Sequence, residues 1–454
     1  MAVAERASRV RPWLRRLAIA AFIVLVPIAL HAAWDHYEAR RLARIVSDIR
    51  ARNEPVGTAS TIPAAESPDN AARYYEAAAA LVDARDIYGV PGLAHKMSYA
   101  PETERSQVVQ EIRAWLQRNA EAEKFLARAT DLPFEGYPPG TGYSYRTDRL
   151  LKLARLANFR TFERLEARDG EAAAQSIVQQ IRISRALGAS HQGGMSMTSS
   201  FWTTNVPLRE ISRLIDAGPS EGALQQVQTA IREVDDDAAM AQSMMAQRAL
   251  YLGSYWDESR GWYSPPQRHA PNDVIWYATR PLMVRRFVGT IEIMTTLIER
   301  ARQPWPLRLH VDVPEKAPGS PRGFPFLPAA QAYHTLGSSY RSQATSIASS
   351  LALLRTADAA IAAELYRRRT GRMPESLAEL VPVYIPAVAL DPFSGREIRY
   401  VKSSDRVVVY SVGENEKDDG GVKVEYPVWR RSGAFQNRDA PPDLGVAVQL
   451  SPGR

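Results

Sequence analysis

The chain has 454 residues, 45% of them apolar and 24% charged, with a formal charge of +7 and no cysteine. That length and composition suit two or three folded domains and exclude a disordered tail, and the lack of cysteine excludes disulfides, thiolate metal sites and cysteine nucleophiles. Only seven of the 57 basic residues are Lys, and the Arg residues alternate with Glu and Asp along the chain, which argues against a nucleic-acid footprint concentrated on one face.

Residues 1–16 form a basic tail, with Arg6, Arg9, Arg11, Arg15 and Arg16 against Glu5 alone. LAIAAFIVLVPIALHAAW, residues 17–34, reads as a transmembrane anchor. Its nine Leu, Ile, Val and Phe residues contribute roughly 3 to 5 kcal/mol towards insertion. Trp34 suits the interface belt, and the Arg-rich tail predicts a cytoplasmic N-terminus with the bulk of the chain outside. A cleaved signal peptide is the competing reading, but Leu30, His31, Ala32 and Ala33 offer no clean small-x-small site. The expected location is therefore a bacterial inner membrane, with the remaining residues in the periplasm.

Residues 35–67 continue as a juxtamembrane helix to Arg52 and then a linker broken by Pro55, Gly57 and Pro63. Residues 68–302 read as an extracytoplasmic helical domain. Ser67 and Pro68 predict a helix start with the helix running to Asp86. A second helix is expected over Glu102–Ala129, with Val108, Ile112, Trp115 and Leu116 at helical spacing. Arg149–Arg168 and Glu171–Leu187 form an antiparallel helix hairpin joined by Asp169 and Gly170. Its look is repeat-like, but no sustained 34-residue period supports a tetratricopeptide array. Further helices are expected over Ser200–Asp216, Ser220–Leu252 and Asp273–Arg302.

Residues 303–330 are a Pro-rich connector, since the seven prolines of Gln303–Pro328 forbid helix or central strand. A long helix over Ala332–Arg369 then opens a C-terminal module, residues 331–426, with Ile347, Leu351, Leu354, Ala357, Ile361 and Leu365 on one stripe. Gly371 reads as its C′ terminator. Pro374 restarts a short helix with Leu377 and Leu380 turned inwards, and Ile398–Val401 and Val407–Ser411 read as strands. Residues 427–454 are a C-terminal tail. The fold class is mainly α, with a transmembrane helix, a helical-hairpin domain and a small α/β module.

Three features bear on chemistry. The histidines are scattered, and HExxH, GxSxG, SxxK, GxxxxGK[ST] and GxGxxG are all missing, so no usual hydrolase, zinc-protease or nucleotide signature points to an enzyme. Tyr255, Trp256, Trp262 and Tyr263 head an aromatic region that could form a sugar- or peptide-binding platform or seal an interface between helices. The loop Gly413–Gly421 places Glu414, Glu416, Asp418 and Asp419 close together between glycines, hard oxygen donors of the kind that suit Ca²⁺ without EF-hand spacing.

The order Tyr366, Gly371, Pro374, Ser376, Leu377, then Asp391, Pro392, Phe393, Gly395, then Tyr410, Ser411, Gly413 and Asp418, Asp419, Gly420, Gly421 resembles the C-terminal half of major pseudopilins of type II secretion systems. It also resembles the module that ends many membrane-anchored bacterial proteins. The resemblance implies a helix packed on a small antiparallel sheet, with Ca²⁺ held by the loop after YSVG at Asp418 and Asp419 and, more weakly, Glu414 and Glu416. Two departures stand out: Val422, Lys423, Val424 and Glu425 replace a further acidic cluster, and the membrane segment lies far upstream of the module. The expectation is a module reused as a domain in a non-enzymatic envelope protein that binds or scaffolds a protein partner. The alternative is a cell-envelope enzyme or glycan binder using the region around Trp256 and Trp262.

Overall fold

The structure, a computed structural model, describes residues 2–57, 67–83, 92–99, 101–135, 143–189, 205–235, 237–257, 262–263, 274–310, 328–421 and 443–450. In chain order its helices are α1 (Ala2–Ala51), α2 (Ala71–Leu81), α3 (Leu93–Tyr99), α4 (Arg105–Arg118), α5 (Ala120–Thr130), α6 (Tyr143–Glu166), α7 (Gly170–Ala189), α8 (Ile211–Asp216), α9 (Glu221–Val234), α10 (Ala239–Tyr255), α11 (Val274–Ala301) and α12 (Pro328–Thr370). The strands are β1 (Trp256–Asp257), β2 (Trp262–Tyr263), β3 (Arg399–Lys402), β4 (Arg406–Ser411) and β5 (Leu444–Gln449). The fold is mainly helical, with a two-stranded ribbon β1–β2 and a three-stranded antiparallel sheet in the order β3-β4-β5. Two compact units divide the chain: Met1–Thr58 with Arg248–Thr296 and Pro314–Thr335, and Ala59–Gln247 with Leu297–Val313 and Leu336–Arg454.

In the first unit, α1 is one helix through the apolar span and the juxtamembrane segment. The span is long and apolar enough to cross a membrane, and none of it is buried. From His31 onwards the helix acquires a partner. His31, Asp35, Glu38, Leu42, Ile45 and Ile49 are all at least half-buried and alternate four and three apart, the spacing of a two-helix seam. The apolar end packs Leu42, Val46 and Ile49 against Leu252, Val284, Phe287, Val288 and Ile291, with Tyr251 stacked on Phe287 at 5.1 Å. The polar end is fastened by bonds to α11: His31 Nε2 to Ala278 O at 3.0 Å, an ion pair of Asp35 with Arg280, and Arg41 to both Glu292 oxygens at 2.6 and 2.7 Å. Contact positions rise together on both helices, so they run parallel. Beyond α1, Glu54 meets the fully buried Arg248, which also donates to Thr295 Oγ1 at 3.0 Å.

The second unit holds the helical hairpins and the sheet. Trp115, Ile112, Leu116, Leu126, Leu150 and Phe159 form a fully buried centre shared by α4, α5 and α6, where Trp115 meets Phe159 edge-on at 5.2 Å. The expected hairpin is present as α6 and α7, with Asp169 Oδ1 accepting from Ala172 N–H at 3.1 Å as the cap. Three of the boundaries that differ from the sequence reading do so through a side chain that bonds the backbone or answers a charge. Asn70, not Ser67, caps α2, its Oδ1 accepting from Ala72 and Glu135 N–H at 3.0 and 3.2 Å. Asn119 splits the helix expected over Glu102–Ala129, because its amide bonds Trp115 O at 2.9 Å and its Oδ1 takes Asp83 N–H at 2.8 Å. Asp235 ends α9 in a non-helical conformation and pairs with Arg355 on α12 at 3.0 Å.

Helix α12 is the spine of the C-terminal region. Its Ser339–Thr370 stretch also has the length and apolarity of a membrane span, but 89% of that window is buried, which marks a core helix apolar on every side. Polar bonds tie it to α9: Arg232 Nε to Asp358 Oδ1 at 3.1 Å, and Gln228 Nε2 to Asp358 O at 3.3 Å. After α12, the short helix expected from Pro374 is a single 3₁₀ turn, Leu377–Leu380, with both leucines buried. The two expected strands form as β3 and β4. A third, β5, lies in the stretch read as a tail and pairs along all of β4 from Arg406↔Gln449 to Ser411↔Leu444. Residues 311–327, most of the Pro-rich connector, and 422–442 lie outside the described residues.

Candidate functional site

Gly371, at φ +79°, ends α12 in the left-handed conformation its position demands, with its N–H on Arg367 O at 2.8 Å. Downstream, one carboxylate organises the chain. Asp391 is fully buried. Its Oδ1 accepts from Phe393 N–H at 2.9 Å and the Ser411 hydroxyl at 2.7 Å, and its Oδ2 from Val412 N–H at 3.0 Å and the Ser394 hydroxyl at 3.1 Å. The DPFSG and YSVG stretches are thus two sides of one network. All four contacts are donated to Asp391, and the two oxygens of one carboxylate can accept them together.

The acidic loop leaves β4 next to this network. Gly413, Gly420 and Gly421 take φ of +68°, +79° and +64°, and Glu416 takes +56°. Asp418 Oδ2 accepts from Arg399 Nε at 2.7 Å, and its Oδ1 from the Tyr410 hydroxyl and Gly420 N–H, both at 3.0 Å. Burial works against this carboxylate, but those donors outweigh it and hold Asp418 below the usual carboxylate range. The same contact, added to burial, pushes Tyr410 up to about 12. Asp419 accepts from the Asn415 amide at 2.9 Å. Glu416 faces His310 at 3.5 Å, and burial pushes the half-buried Glu414 up.

A residue outside the predicted set completes the loop. Asp443, at the start of β5 and fully buried, accepts from Gly421 N–H at 2.8 Å and Asp419 N–H at 3.5 Å. Burial pushes its carboxyl up against the pull of those amides. Sequence reading misses it because it follows Gly421 only after a long intervening stretch. Ca²⁺ takes six to eight oxygens. Among the described residues no three His, Asp or Glu side chains converge where a metal ion could be held, and a guanidinium stands against Asp418 where a cation would bind. The described residues do not make up a Ca²⁺ shell, and Val422, Lys423, Val424 and Glu425 lie outside them.

The four residues of the aromatic region are brought together by the ribbon. Tyr255 closes α10, and β1 pairs with β2 in the register Trp256↔Tyr263 and Asp257↔Trp262. Strand β2 lies against α1. Arg260 and Glu258, also part of this region, lie outside the described residues.

A further feature has no single-stretch signature. A cleft of about 230 Å³ in the second unit is lined by Tyr75 of α2, Leu132 and Phe134 after α5, Arg182 and Arg185 of α7, and Glu233 of α9. The Tyr75 and Phe134 rings stand 6.2 Å apart, tilted. Arg182 donates to Thr130 O, and Arg185 lies 3.3 Å from Glu233. Burial pushes the Tyr75 hydroxyl well up, against the opposing pull of Arg182 and Arg185. The Thr130 hydroxyl donates to Leu126 O at 2.9 Å, which commits it to its own helix. Four separate elements supply the lining, so nothing in a linear pattern marks the site.

No protein-family model matches the chain, and no curated protein or solved structure matches it either.

Proposed function

We propose that this chain is a membrane-anchored bacterial envelope protein whose helical region binds or scaffolds another protein, with its N-terminus cytoplasmic and its bulk in the periplasm. The observation that carries the reading is the cleft beside α2, α5, α7 and α9. Its aromatic and aliphatic lining lies beside the Arg182 and Arg185 guanidiniums and the Glu233 carboxylate, which pairs with them at 3.9 and 3.3 Å, a mix that can receive an apolar side chain together with a charged group of a protein segment. The exposed apolar span of α1 supports the anchor, and the resemblance of residues 351–421 to a pseudopilin supports an envelope setting with a secretion-related role.

A photo-crosslinking residue in place of Leu132, in the native membrane, tests this. The expected result is a discrete protein adduct that is lost when Arg182→Glu and Arg185→Glu are combined with it. An adduct indifferent to both charge reversals would overturn the assignment of the cleft. Reporter fusions after Arg52 test orientation, and a cytoplasmic signal there would overturn the periplasmic placement.

A further inference from the structure

The cleft beside α2, α5, α7 and α9 holds one polar group that the fold leaves unused. Tyr75 is only 2% exposed, and its ring lies 6.2 Å from that of Phe134. Its hydroxyl makes no hydrogen bond with any of the described residues. A buried Tyr hydroxyl ordinarily has a partner, so one that lines a cleft without one is open to whatever enters. The other hydroxyl of the lining is already committed, since Thr130 donates to Leu126 O at 2.9 Å.

Two cations stand with that hydroxyl. Arg182 and Arg185 lie three residues apart on α7, and so on one face of it. The charges that act on the Tyr75 hydroxyl are theirs, which favours a negative group beside it. A guanidinium carries five N–H donors. Arg182 gives one to Thr130 O and Arg185 gives one to Glu233 at 3.3 Å, so both keep donors for a ligand. Glu233 and Asp131 also line the cleft and are exposed, and they disfavour a second acidic group.

Size narrows the ligand further. At about 230 Å³ the cleft is smaller than the roughly 300 to 1,000 Å³ of a site for a drug-sized molecule, and it suits a single amino-acid residue. Leu132, Pro133 and Phe134 supply the apolar part of its lining. An apolar group and a carboxylate within one residue describe a chain end, where the side chain and the α-carboxylate leave the same Cα. An internal Asp or Glu carries its carboxylate at the tip of the side chain and brings no separate apolar group. Asp131, Pro133, Arg185 and Glu233 are all exposed, which leaves the preceding residues of such a chain a way out to solvent.

We propose that the cleft receives the C-terminus of a polypeptide, with the Tyr75 hydroxyl and the Arg182 and Arg185 guanidiniums on its α-carboxylate and Leu132 and Phe134 against an apolar last side chain. This assignment rests on the cleft's reading as the partner-binding site, and it names the part of the partner that enters.

The test is isothermal titration of the full chain, solubilised in detergent, with the peptide acetyl-Ala-Ala-Leu. The free acid should bind, and the same peptide with an amidated C-terminus should bind at least about tenfold more weakly, as expected for a hydrogen bond to a charged group. Tyr75→Phe should weaken the acid by about tenfold and leave the amide unchanged. It should not lower the melting temperature, because the hydroxyl supports nothing in the fold. Arg185→Gln should also weaken the acid selectively. Equal binding of acid and amide, no binding of either at millimolar concentration, or an acid affinity indifferent to Tyr75→Phe would overturn the proposal. So would tighter binding of acetyl-Ala-Glu-Ala-amide, which marks an internal acidic side chain, or of free leucine, which marks an amino-acid site. If acid and amide are indistinguishable while the crosslink from position 132 still depends on Arg182 and Arg185, the chain-end assignment falls and the partner reading stands. Acid-selective binding without any protein adduct at position 132 would support the chain-end chemistry and overturn the partner reading instead.

Discussion

Replacing Asp391 with Asn removes a charge and one acceptor while leaving the shape of the side chain nearly unchanged. Each Asp391 oxygen serves one backbone N–H and one serine hydroxyl: Phe393 and Ser411 on one side, Val412 and Ser394 on the other. A hydroxyl can turn and accept from the new amide, whereas a backbone N–H cannot. Either orientation of the Asn amide therefore leaves one buried N–H without a partner, at a cost of about 1 to 3 kcal/mol. The remaining bonds lose their charge assistance, which roughly halves them, and the buried Arg399 Nη1, 3.7 Å from Asp391 and without a hydrogen-bond partner, loses a counter-charge. The sum is about 3 kcal/mol, or about a hundredfold. Amide hydrogen exchange of the detergent-solubilised protein measures it directly: protection of Phe393 and Val412 should fall by about two orders of magnitude, while that of α6 and α7 stays unchanged. Protection at both amides within a factor of about three of the parent would refute the idea that this carboxylate joins the two motifs.

Arg248→Ala should destabilise the first unit by about 3 to 5 kcal/mol, because the buried Glu54 carboxylate loses its buried counter-charge and keeps the more exposed Arg52 at 3.2 Å, while Arg248→Met with Glu54→Leu should cost far less in thermal unfolding. Equal losses for the two variants would remove the ion pair as the cause. Gly445→Ala should release β5, since a Cβ there would lie 2.1 Å from Val409 O; unaltered exchange protection of β4 amides in that variant would contradict the pairing. Because Asp418 is held below its ordinary pKa, the stability that its contacts supply is present above about pH 3.9 and is lost as pH falls through the lower, folded value. Arg399→Ala should therefore lower the melting temperature at pH 7 and make less difference in strong acid, and a difference that grows on acidification would reverse the assignment. Excess Ca²⁺ should leave the melting temperature of the full chain unmoved, because Arg399 already supplies the positive charge; a Ca²⁺-dependent rise abolished by Asp418→Asn with Asp419→Asn would show otherwise.

The elements that the sequence made legible are those whose signal is local. Periodicity marks α6 and α7, and the apolar run with its Trp34 end marks the exposed part of α1. Gly371 marks the end of α12 because a left-handed residue at that point favours glycine. What stayed hidden depends on partners distant in the chain. Asn119 and Asp235 lie inside convincing helical periods, yet each ends a helix by bonding to residues outside it, Asp83 in one case and Arg355 in the other. Strand β5 carries a readable alternation in Leu444, Val446 and Val448, all buried, but its pairing with β4 spans the stretch after Gly421. The acidic loop shows the same division: its donors and glycines are plain in sequence, whereas the side chains that occupy them, Arg399, Tyr410 and His310, come from separate segments.

That occupancy changes what the loop does mechanically. Its backbone is held from two sides, by Asp418 on the sheet through Arg399 and Tyr410, and by Asp443 through the N–H groups of Asp419 and Gly421. Asp443 leads directly into β5, and β5 is fastened to α8, where the Ser212 hydroxyl donates to Ala447 O at 2.6 Å. The stretch before β3 is tied to α12 and α9 through Arg355, which bonds Leu390 O at 2.8 Å as well as Asp235. These bonds link the loop to α8, α9 and α12, and Glu233 of α9 lines the cleft. The C-terminal sheet is a brace within the helical unit. Within the proposed function, this series of bonds ties the C-terminal sheet to α9, the helix that lends Glu233 to the cleft.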